Sequence, residues 1–386
     1  MNDTRTTARA ETRWLARLGA ASGVQDLCGA MQAHHGGLDF AHLHSIAIVG
    51  CAPEGQRLAR ICQAQNIAID AIADDNPVKI GSVVSGLTVE PTQALTRLPL
   101  ATPIVIASHR VLRVTQGLRG LGFKTVVPFA MLQVMAPEIF PAHMFYDGLL
   151  DDLWNHRSKY FQLAERLPDD RSRQVLDAVI GFRCTLDPAF LQPVVSEHDL
   201  YAPEGLFEFS ENEVYVDGGS YDGDTIRSFI DRVHGRFAAV YAFEPDPATF
   251  KKLQGNFRDE PRVHPIHAGL YSRNGNLRFR DDASRGAIFA ADGDIEMPVT
   301  TLDEVFGEGR ATYIKMNIEG AEIDALRGGE RLIRREHPKL ALSVYHRPSD
   351  LWRIPEIVES FNPDYRLYLR QHDGGIIETV LYALHK

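Results

Sequence analysis

The sequence predicts an α/β protein with two mainly parallel sheets: a smaller Rossmann-like domain, then a larger doubly wound sheet with an antiparallel last strand. Short apolar runs alternate with amphipathic stretches along most of the 386 residues, which is typical of strands joined by helical crossovers. A glycine-bearing turn follows the first strand of each series. Near the end, the tight turn Asp373-Gly-Gly375 separates two strands, Tyr365–Arg370 and Ile376–Leu384, that should pair antiparallel.

The composition is that of an ordinary globular protein, with 44% hydrophobic residues, 24% charged residues and a net charge of −10. No block of Lys and Arg provides the basic face that nucleic-acid binding requires, so nucleic acid is disfavoured as a substrate. No apolar run approaches the roughly 18 residues of a membrane span, and the first residues do not resemble a signal peptide. Four scattered cysteines without a CxxC pair indicate reduced thiols, so we expect a cytoplasmic protein.

Four segments follow from the pattern. We expect a helical segment at 1–40, the smaller domain at 41–140, a helical bridge at 141–210 and the larger domain at 211–386.

In the smaller domain, the strand beginning at Ser45 leads into the turn from Gly50 to Gly55, and a second strand ends at Asp74. Gly-x-x-x-x-Gly is only half of a dinucleotide fingerprint. The pattern therefore leaves open whether this domain binds a nucleotide or nucleotide-sugar, or serves assembly.

The most informative stretch runs from Val214 to Thr225. An apolar strand passes through Asp217 into a turn with three glycines, and an amphipathic helix follows. Glycines let a ligand approach the backbone, and the helix start offers free N–H groups, so the stretch predicts a nucleotide site. Glu244 stands 27 residues after Asp217, at the end of the next apolar strand, where an acid would hold ribose hydroxyls.

This turn departs from the dinucleotide fingerprint. Asp217 precedes the first glycine, and Tyr221 stands where the middle glycine would be. A carboxylate would repel a pyrophosphate, whereas a cationic sulfonium cofactor that carries an adenosine would tolerate it.

The later elements point to a known architecture. Strands at Tyr313–Met316 and Leu340–Tyr345, a helix from Ala321 and the closing antiparallel hairpin complete a sheet of the kind used by class I S-adenosylmethionine-dependent methyltransferases. The segment Ile314-Lys-Met-Asn-Ile-Glu-Gly-Ala-Glu-Ile323, followed by Ala325-Leu-Arg-Gly-Gly329, resembles the signature of the FkbM family of methyltransferases. Further similarity lies in Val216–Gly223, Ala242–Pro245 and Pro298–Asp303, and the resemblance covers about residues 205–385.

The resemblance implies methyl transfer from S-adenosylmethionine to an oxygen, often a hydroxyl of a sugar or polyketide. The acceptor would be a small molecule or a glycan. The residues it places at the cofactor are Asp217, Gly218, Gly219, Tyr221, Asp222 and Gly223 of the turn, Glu244 at the ribose with Pro245 and Asp246 nearby, and Ala268 and Gly269 at the adenine. The 44–130 segment is more loosely similar to sugar-nucleotide-binding domains attached to some of these enzymes, which implies a nucleotide-sugar there.

An alcohol is a poor nucleophile, so a base near its oxygen helps. Two strand ends face the predicted cleft, one with Asn317 and Glu319 and the other with His346. An imidazole titrates near neutral pH, so His346 is predicted as the base, with activity falling below about pH 6–7. Two roles remain open for Glu319: it acts as a base or ligand, or it caps the following helix. Asn317 stands where the family often has an aspartate and offers no charged ligand, which disfavours a metal-assisted reaction; we name no metal ligand, and the sequence leaves open whether a metal assists.

Two other interpretations compete. A nicotinamide-dependent oxidoreductase is disfavoured because the turn from Gly50 to Gly55 lacks the full glycine triplet. A non-catalytic sugar-nucleotide-binding or scaffold protein with a degenerate methyltransferase domain is supported mainly by Asn317. The sequence names neither the acceptor nor the methylated position, and it leaves the oligomeric state open, a homo-oligomer included.

Overall fold

A computed structural model describes residues 13–108, 110–196, 200–282, 286–289 and 295–385. The first twelve residues of the predicted helical segment lie outside the described residues. The chain divides into two compact units. Unit 1 comprises Met1–Val195 with Asp373–Ile377, and unit 2 comprises Ser196–His372 with Glu378–Lys386.

Unit 1 contains a six-stranded sheet with the strand order β3-β4-β2-β1-β5-β6. All neighbouring strands in it are parallel except β3, which pairs antiparallel with β4. Its elements are α1 (Arg13–Ala20), α2 (Val24–His34), β1 (Ser45–Val49), α3 (Pro53–Ala64), β2 (Ala68–Ala73), β3 (Val83–Val84), β4 (Leu87–Glu90), β5 (Ile104–Ile106), α4 (Val111–Gly120), β6 (Val126–Pro128), α5 (Phe129–Met135), α6 (Leu149–Asn155), α7 (Arg157–Arg166) and α8 (Asp170–Thr185).

The sheet of unit 1 is held by apolar side chains that its strands direct toward the flanking helices. Ala47, Val49, Ile104 and Ile106 pack with Leu118 of α4 in one buried cluster. Such burial stabilises a fold by about 25 cal/mol for each Å² of apolar surface removed from water.

Unit 2 contains a seven-stranded sheet and a separate four-stranded one. Its elements are β7 (Val214–Gly218), α9 (Asp224–Arg232), β8 (Ala239–Phe243), α10 (Pro247–Asn256), β9 (Val263–Ile266), β10 (Gly269–Leu270), β11 (Gly275–Asp282), β12 (Gly286–Phe289), β13 (Ile295–Thr300), α11 (Leu302–Phe306), β14 (Tyr313–Met316), α12 (Glu322–Arg327), α13 (Glu330–Glu336), β15 (Lys339–Ser343), α14 (Asp350–Phe361), β16 (Tyr365–Gln371) and β17 (Thr379–His385).

The large sheet has the strand order β16-β17-β15-β14-β7-β8-β9. Strands β15, β14, β7, β8 and β9 run parallel, whereas β17 is antiparallel to both β15 and β16. The predicted antiparallel last strand is confirmed. Because β7, β8, β14 and β15 are parallel strands of one sheet, their carboxyl ends meet at one edge, where ligands bind in open α/β sheets.

The four-stranded sheet, with the order β10-β13-β11-β12, is more extensive than the sequence predicted. The sequence predicted a hairpin-like stretch around Asn274-Gly275, but β10 and β11, which flank it, do not pair with each other, because β13 lies between them. The structure pairs β11 with β13 across a long connection and adds β10 parallel to β13. Strands this far apart in sequence are not joined by a short turn, so no local pattern of turn residues predicts their pairing.

No helix among the described residues is both long and apolar enough to cross a membrane.

Candidate functional site

The glycine turn after β7 has a conformation that few other residues adopt. Gly219 has φ +76°, and a Cβ atom there would lie 2.0 Å from the carbonyl oxygen of Asn317. Gly223 has φ +89°, and its Cβ would lie 2.1 Å from the ring of Phe257. The turn therefore needs glycine at both positions. It is also in close contact with the loop that follows β14, so two predicted parts of the site are neighbours.

Glu244 lies at the end of β8 and is 8% exposed. Its Oε2 accepts a hydrogen bond from the backbone N–H of Tyr221 at 3.0 Å, and its Oε1 accepts one from the N–H of Asp246 at 2.9 Å. Burial raises the pKa of Glu244 to about 7, against the opposing effect of these two N–H donors. Each oxygen keeps a further lone pair, so the carboxylate can still accept from a ligand.

Asp217 is fully buried, and both of its oxygens have protein partners. Lys315 Nζ lies 2.8 Å from Oδ1, and the hydroxyl of Thr225 donates to Oδ2 at 2.5 Å. Lys315 also donates to the carbonyl oxygens of Gly218 and Gly219, at 3.1 and 2.9 Å. The predicted residue thus anchors the turn, and Lys315 compensates its charge.

Two other predicted carboxylates are engaged by local structure. Asp222 Oδ1 accepts from Arg227 at 2.8 Å. Asp246 caps α10 by accepting from the N–H of Thr249 at 2.7 Å. Of the acids predicted to contact the cofactor, Glu244 is the best placed to accept a hydrogen bond from a ligand.

The remaining predicted cofactor residues surround Glu244. A Cβ atom at Gly269 would lie 3.6 Å from Pro245, so these two residues are in contact. Ala268 is buried beside them. Tyr221 has φ +50° and is 59% exposed, an unusual conformation and an unusual exposure for a tyrosine. Its backbone is held by Glu244, which places it at the mouth of the turn.

Glu319 and His346 lie in a group with Glu322 and Asp350, defined here as the acid–histidine cluster, in which Glu319 alone is partly exposed. His346 is 0% exposed, its Nδ1 lies 2.9 Å from Glu322 Oε1, and its Nε2 lies 3.7 Å from Glu319 Oε2. Burial lowers the pKa of His346, but the three acids, Glu322 foremost, raise it to about 9. A raised pKa favours the cationic imidazole at neutral pH, and the role of His346 as base stays a prediction.

The pKa values of Asp350 and Glu322 are also shifted by burial and by their neighbours in the cluster. Burial raises the pKa of Asp350 to about 7, with the charge of Glu322 adding to the effect. Burial also acts to raise the pKa of Glu322, but His346 outweighs it and holds that pKa below its usual value.

Asn317 joins the turn to the neighbouring strand end. Its N–H donates to the carbonyl oxygen of Gly218 at 3.1 Å, and its Oδ1 accepts from the hydroxyl of Tyr345 at 3.1 Å. The side chain is thus oriented by a residue adjacent to His346.

The acid predicted at a nucleotide site in unit 1 has protein partners. Asp74 accepts from the N–H groups of Cys51 and Asn76, both at 2.9 Å, and from Lys79 Nζ at 3.0 Å. A Cβ atom at Gly55 would lie 1.9 Å from the carbonyl oxygen of Gly50, so packing of the turn on its helix explains this glycine.

Sequence reasoning missed three side chains of the site: Lys315, Glu322 and Asp350. Lys315 had a signal, because a lysine inside the apolar run Tyr313–Met316 needs a buried partner. Within the described ranges, no group of three or more His, Cys, Asp or Glu residues is arranged to hold a metal ion.

Comparison with known proteins agrees with this geometry. The model of the methyltransferase FkbM domain matches residues 217–374. The crystal structure of a methyltransferase FkbM from Methylobacillus flagellatus is 25% identical, with a TM-score of 0.73 over 96% of this chain and 98% of that chain. Hexuronic acid methyltransferase AglP from Haloferax volcanii is 32% identical over 98 residues, which span 24% of this chain and 41% of that protein.

The matched domain contains the glycine turn, Glu244 and the acid–histidine cluster, and the structural likeness extends over nearly the whole chain. The chain therefore carries a methyltransferase FkbM domain at residues 217–374.

Proposed function

We propose that the protein transfers a methyl group from S-adenosylmethionine to a hydroxyl oxygen of a sugar or glycan. The observation that carries the proposal is Glu244, a buried carboxylate at the edge where ligands bind, held by the N–H groups of Tyr221 and Asp246. A carboxylate so placed accepts from the two hydroxyls of a ribose. The family relationship supports the same conclusion.

The residues present fit this cofactor. Cβ atoms at Gly219 and Gly223 would collide with neighbouring residues, so the turn requires glycine at both positions. Because glycine has no side chain, a ligand can approach the backbone of this turn closely. Glu244 would hold the ribose, and Pro245 and Gly269 would lie beside the base. Bound S-adenosylmethionine would supply an electrophilic methyl group, whose bond to sulfur breaks, leaving its electron pair on sulfur, as the acceptor oxygen bonds to the carbon.

The chain must then take up the proton of the acceptor hydroxyl. We assign this role to Glu319, whose side chain is 31% exposed on the loop next to the glycine turn. His346 is fully buried and its acidic neighbours raise its pKa to about 9, so the partly exposed Glu319 is the better placed acceptor of that proton. The proton passes from the hydroxyl oxygen to the Glu319 carboxylate, and the remaining contribution of the enzyme is alignment.

The acceptor class is inferred from two features. AglP acts on a hexuronic acid, as its name states, and that molecule carries a carboxylate. Arg347 follows His346 at the same sheet edge and is exposed. Burial and the charge of Asp324 raise the pKa of Tyr271. The charges of Arg273 and Arg347 act to lower that pKa, so two cations and one acid lie near the Tyr271 hydroxyl. A carboxylate-bearing sugar fits such a rim, since guanidinium groups bind carboxylates well.

The proposal is tested in two steps. Isothermal titration should show binding of S-adenosylmethionine, with no binding of NADPH. Mass spectrometry should then detect one added methyl group on a uronic acid or uronic-acid oligosaccharide, in preference to a neutral hexose. Titration with a UDP-sugar tests separately whether unit 1 binds a nucleotide-sugar. Absence of S-adenosylmethionine binding by a folded protein would contradict the assignment.

A further inference from the structure

The acid–histidine cluster lies beyond the part of the site that holds the cofactor. It gathers three carboxyl groups around one imidazole: Glu319 on the loop after β14, Glu322 in α12 and Asp350 at the start of α14, with His346 after β15. Glu322, His346 and Asp350 are 1%, 0% and 2% exposed. Charges buried to this degree are costly unless they compensate one another. The charged groups of the cluster must therefore compensate one another.

The tightest contact in the cluster is between Glu322 and His346. Glu322 Oε1 lies 2.9 Å from His346 Nδ1 and also accepts from the N–H of Ile318 at 2.8 Å. One carboxylate oxygen thus contacts both the imidazole and the loop that carries Glu319. A movement of this ion pair would shift the loop.

The loop is held in an unusual conformation. Glu319 has φ +53° and the following Gly320 has φ +88°. A left-handed conformation is rare for glutamate and persists where the surroundings impose it. Since the backbone amide of Ile318 is tied to Glu322, the cluster supplies part of that constraint.

Glu319 has one oxygen directed into the cluster. Its Oε2 is buried and, among the described residues, has no hydrogen-bond partner, while His346 Nε2 lies 3.7 Å away. That distance is too long for a hydrogen bond but short enough for a strong interaction between opposite charges. The same side chain remains 31% exposed, so its other part is accessible.

We propose that Glu322 and His346 are positioning residues: their buried ion pair fixes the loop that carries Glu319, the acceptor of the hydroxyl proton. The inference rests on the proposed function. Glu319 is the catalytic residue, because in the proposed reaction it contacts the acceptor whereas the buried pair acts through it.

Other groups also face the imidazole and set its charge. Asp350 contributes a carboxyl group from α14. The ring of the adjacent Tyr345 has its centroid 4.3 Å from that of His346, and the exposed Arg347 follows in the chain. The acids outweigh this cation, so the surroundings as a whole favour the imidazolium form.

The replacement His346→Gln removes the charge and keeps a side chain of similar length. The loop that carries Glu319 then loses part of its constraint, so Glu319 is less well aligned with the acceptor hydroxyl. We expect kcat to fall roughly tenfold, with the affinity for S-adenosylmethionine unchanged.

A matched control is His372→Gln. His372 is also a buried imidazole of unit 2, but it contacts the carbonyl oxygen of Ser196 and the hydroxyl of Tyr382. This variant should lose stability while kcat stays near the wild-type value. A merely structural role of His346 would make the two variants behave alike, and that result would overturn the proposal.

A second measurement needs neither cofactor nor acceptor. In an NMR titration of the wild-type protein, the His346 imidazole should remain protonated at pH 7 and titrate near pH 9. In Glu322→Gln it should titrate at least roughly one pH unit lower. A wild-type imidazole that is neutral at pH 7 would overturn the proposal even if the protein binds S-adenosylmethionine and methylates a sugar. Conversely, failure to bind S-adenosylmethionine refutes the proposed function and leaves the charge state of the ion pair as described.

Discussion

Lys315 and Asp217 form a buried ion pair that joins β14 to β7: Nζ lies 2.8 Å from Oδ1, and the two side chains are 2% and 0% exposed. The lysine also donates to two carbonyl oxygens of the glycine turn. The acid that opens the turn is therefore neutralised from the next strand. A cofactor sulfonium would meet a neutral pair at this point, not a lone carboxylate.

This pair should show strong energetic coupling. Lys315→Met should cost about 3–5 kcal/mol in the free energy of unfolding, because it leaves Asp217 charged and without its cation. The double variant Lys315→Met with Asp217→Asn should be less destabilised than the sum of the two single changes. Urea denaturation of the three variants measures the coupling. Additive costs would show that the two side chains do not interact.

Cofactor binding should depend on pH through Glu244. The pKa of this carboxyl is raised to about 7, and ribose hydroxyls donate to the ionised form. The affinity for S-adenosylmethionine should therefore fall as the pH drops below about 7, approaching roughly tenfold per pH unit. Calorimetry between pH 5.5 and 8.5 tests this expectation.

The variant Glu244→Gln supplies the control. It should bind roughly ten- to a hundredfold more weakly than the wild type at pH 8, since a charge-assisted hydrogen bond contributes about 1.5–3 kcal/mol. Its affinity should vary little with pH. An equal slope in both proteins would assign the pH dependence to another group.

Gly219→Ala should abolish cofactor binding, since the added methyl would lie 2.0 Å from the carbonyl oxygen of Asn317 and displace the loop. Gly235→Ala is a matched control: Gly235 has a similar φ of +71°, and its Cβ would meet no atom within 4 Å. Both changes introduce backbone strain on the order of 1 kcal/mol. Calorimetric titration should show normal binding for Gly235→Ala, and loss of binding in both would point to strain alone.

The charge of His346 should also be visible in stability. Its folded-state pKa of about 9 lies above the ordinary 6.5, so its contribution is complete below pH 6.5 and is lost as the pH rises through 9. The wild type should lose up to roughly 3 kcal/mol across this window. The His346→Gln variant should lack this loss. Denaturant midpoints at pH 6.5 and 9 measure the difference.

Local patterns predicted the strand β7, the glycine turn that follows it and the position of Glu244 after the next strand. The strand, the glycine turn and the acid at the next strand end follow one another closely in the chain, so periodicity and glycine placement suffice to locate them. The antiparallel pairing of β17 with β16 was predicted from the tight turn Asp373-Gly-Gly375 between them. Lys315 was not identified as the partner of Asp217, because the two are 98 residues apart and only the pairing of β14 with β7 brings them together.

The pKa of His346 could not be predicted for a related reason. Its protonation depends on Glu322 and Asp350, which come from two different helices and are brought beside it by the fold. Residue type alone gives an imidazole its ordinary pKa. The sign of the shift is a property of tertiary packing.

The position of β17 has a consequence for biosynthesis. This strand is inserted between β15 and β16, and its residues 380–383 are all buried. During translation, all residues of the candidate site leave the ribosome before β17 does. The apolar edge of β15 is therefore still exposed at that stage, and such an edge is prone to pair with other chains. Unit 2 cannot close its sheet until residue 385 has emerged, so we expect this half of the protein to depend on chaperones during translation more than the sheet of unit 1, whose strands are complete by residue 128.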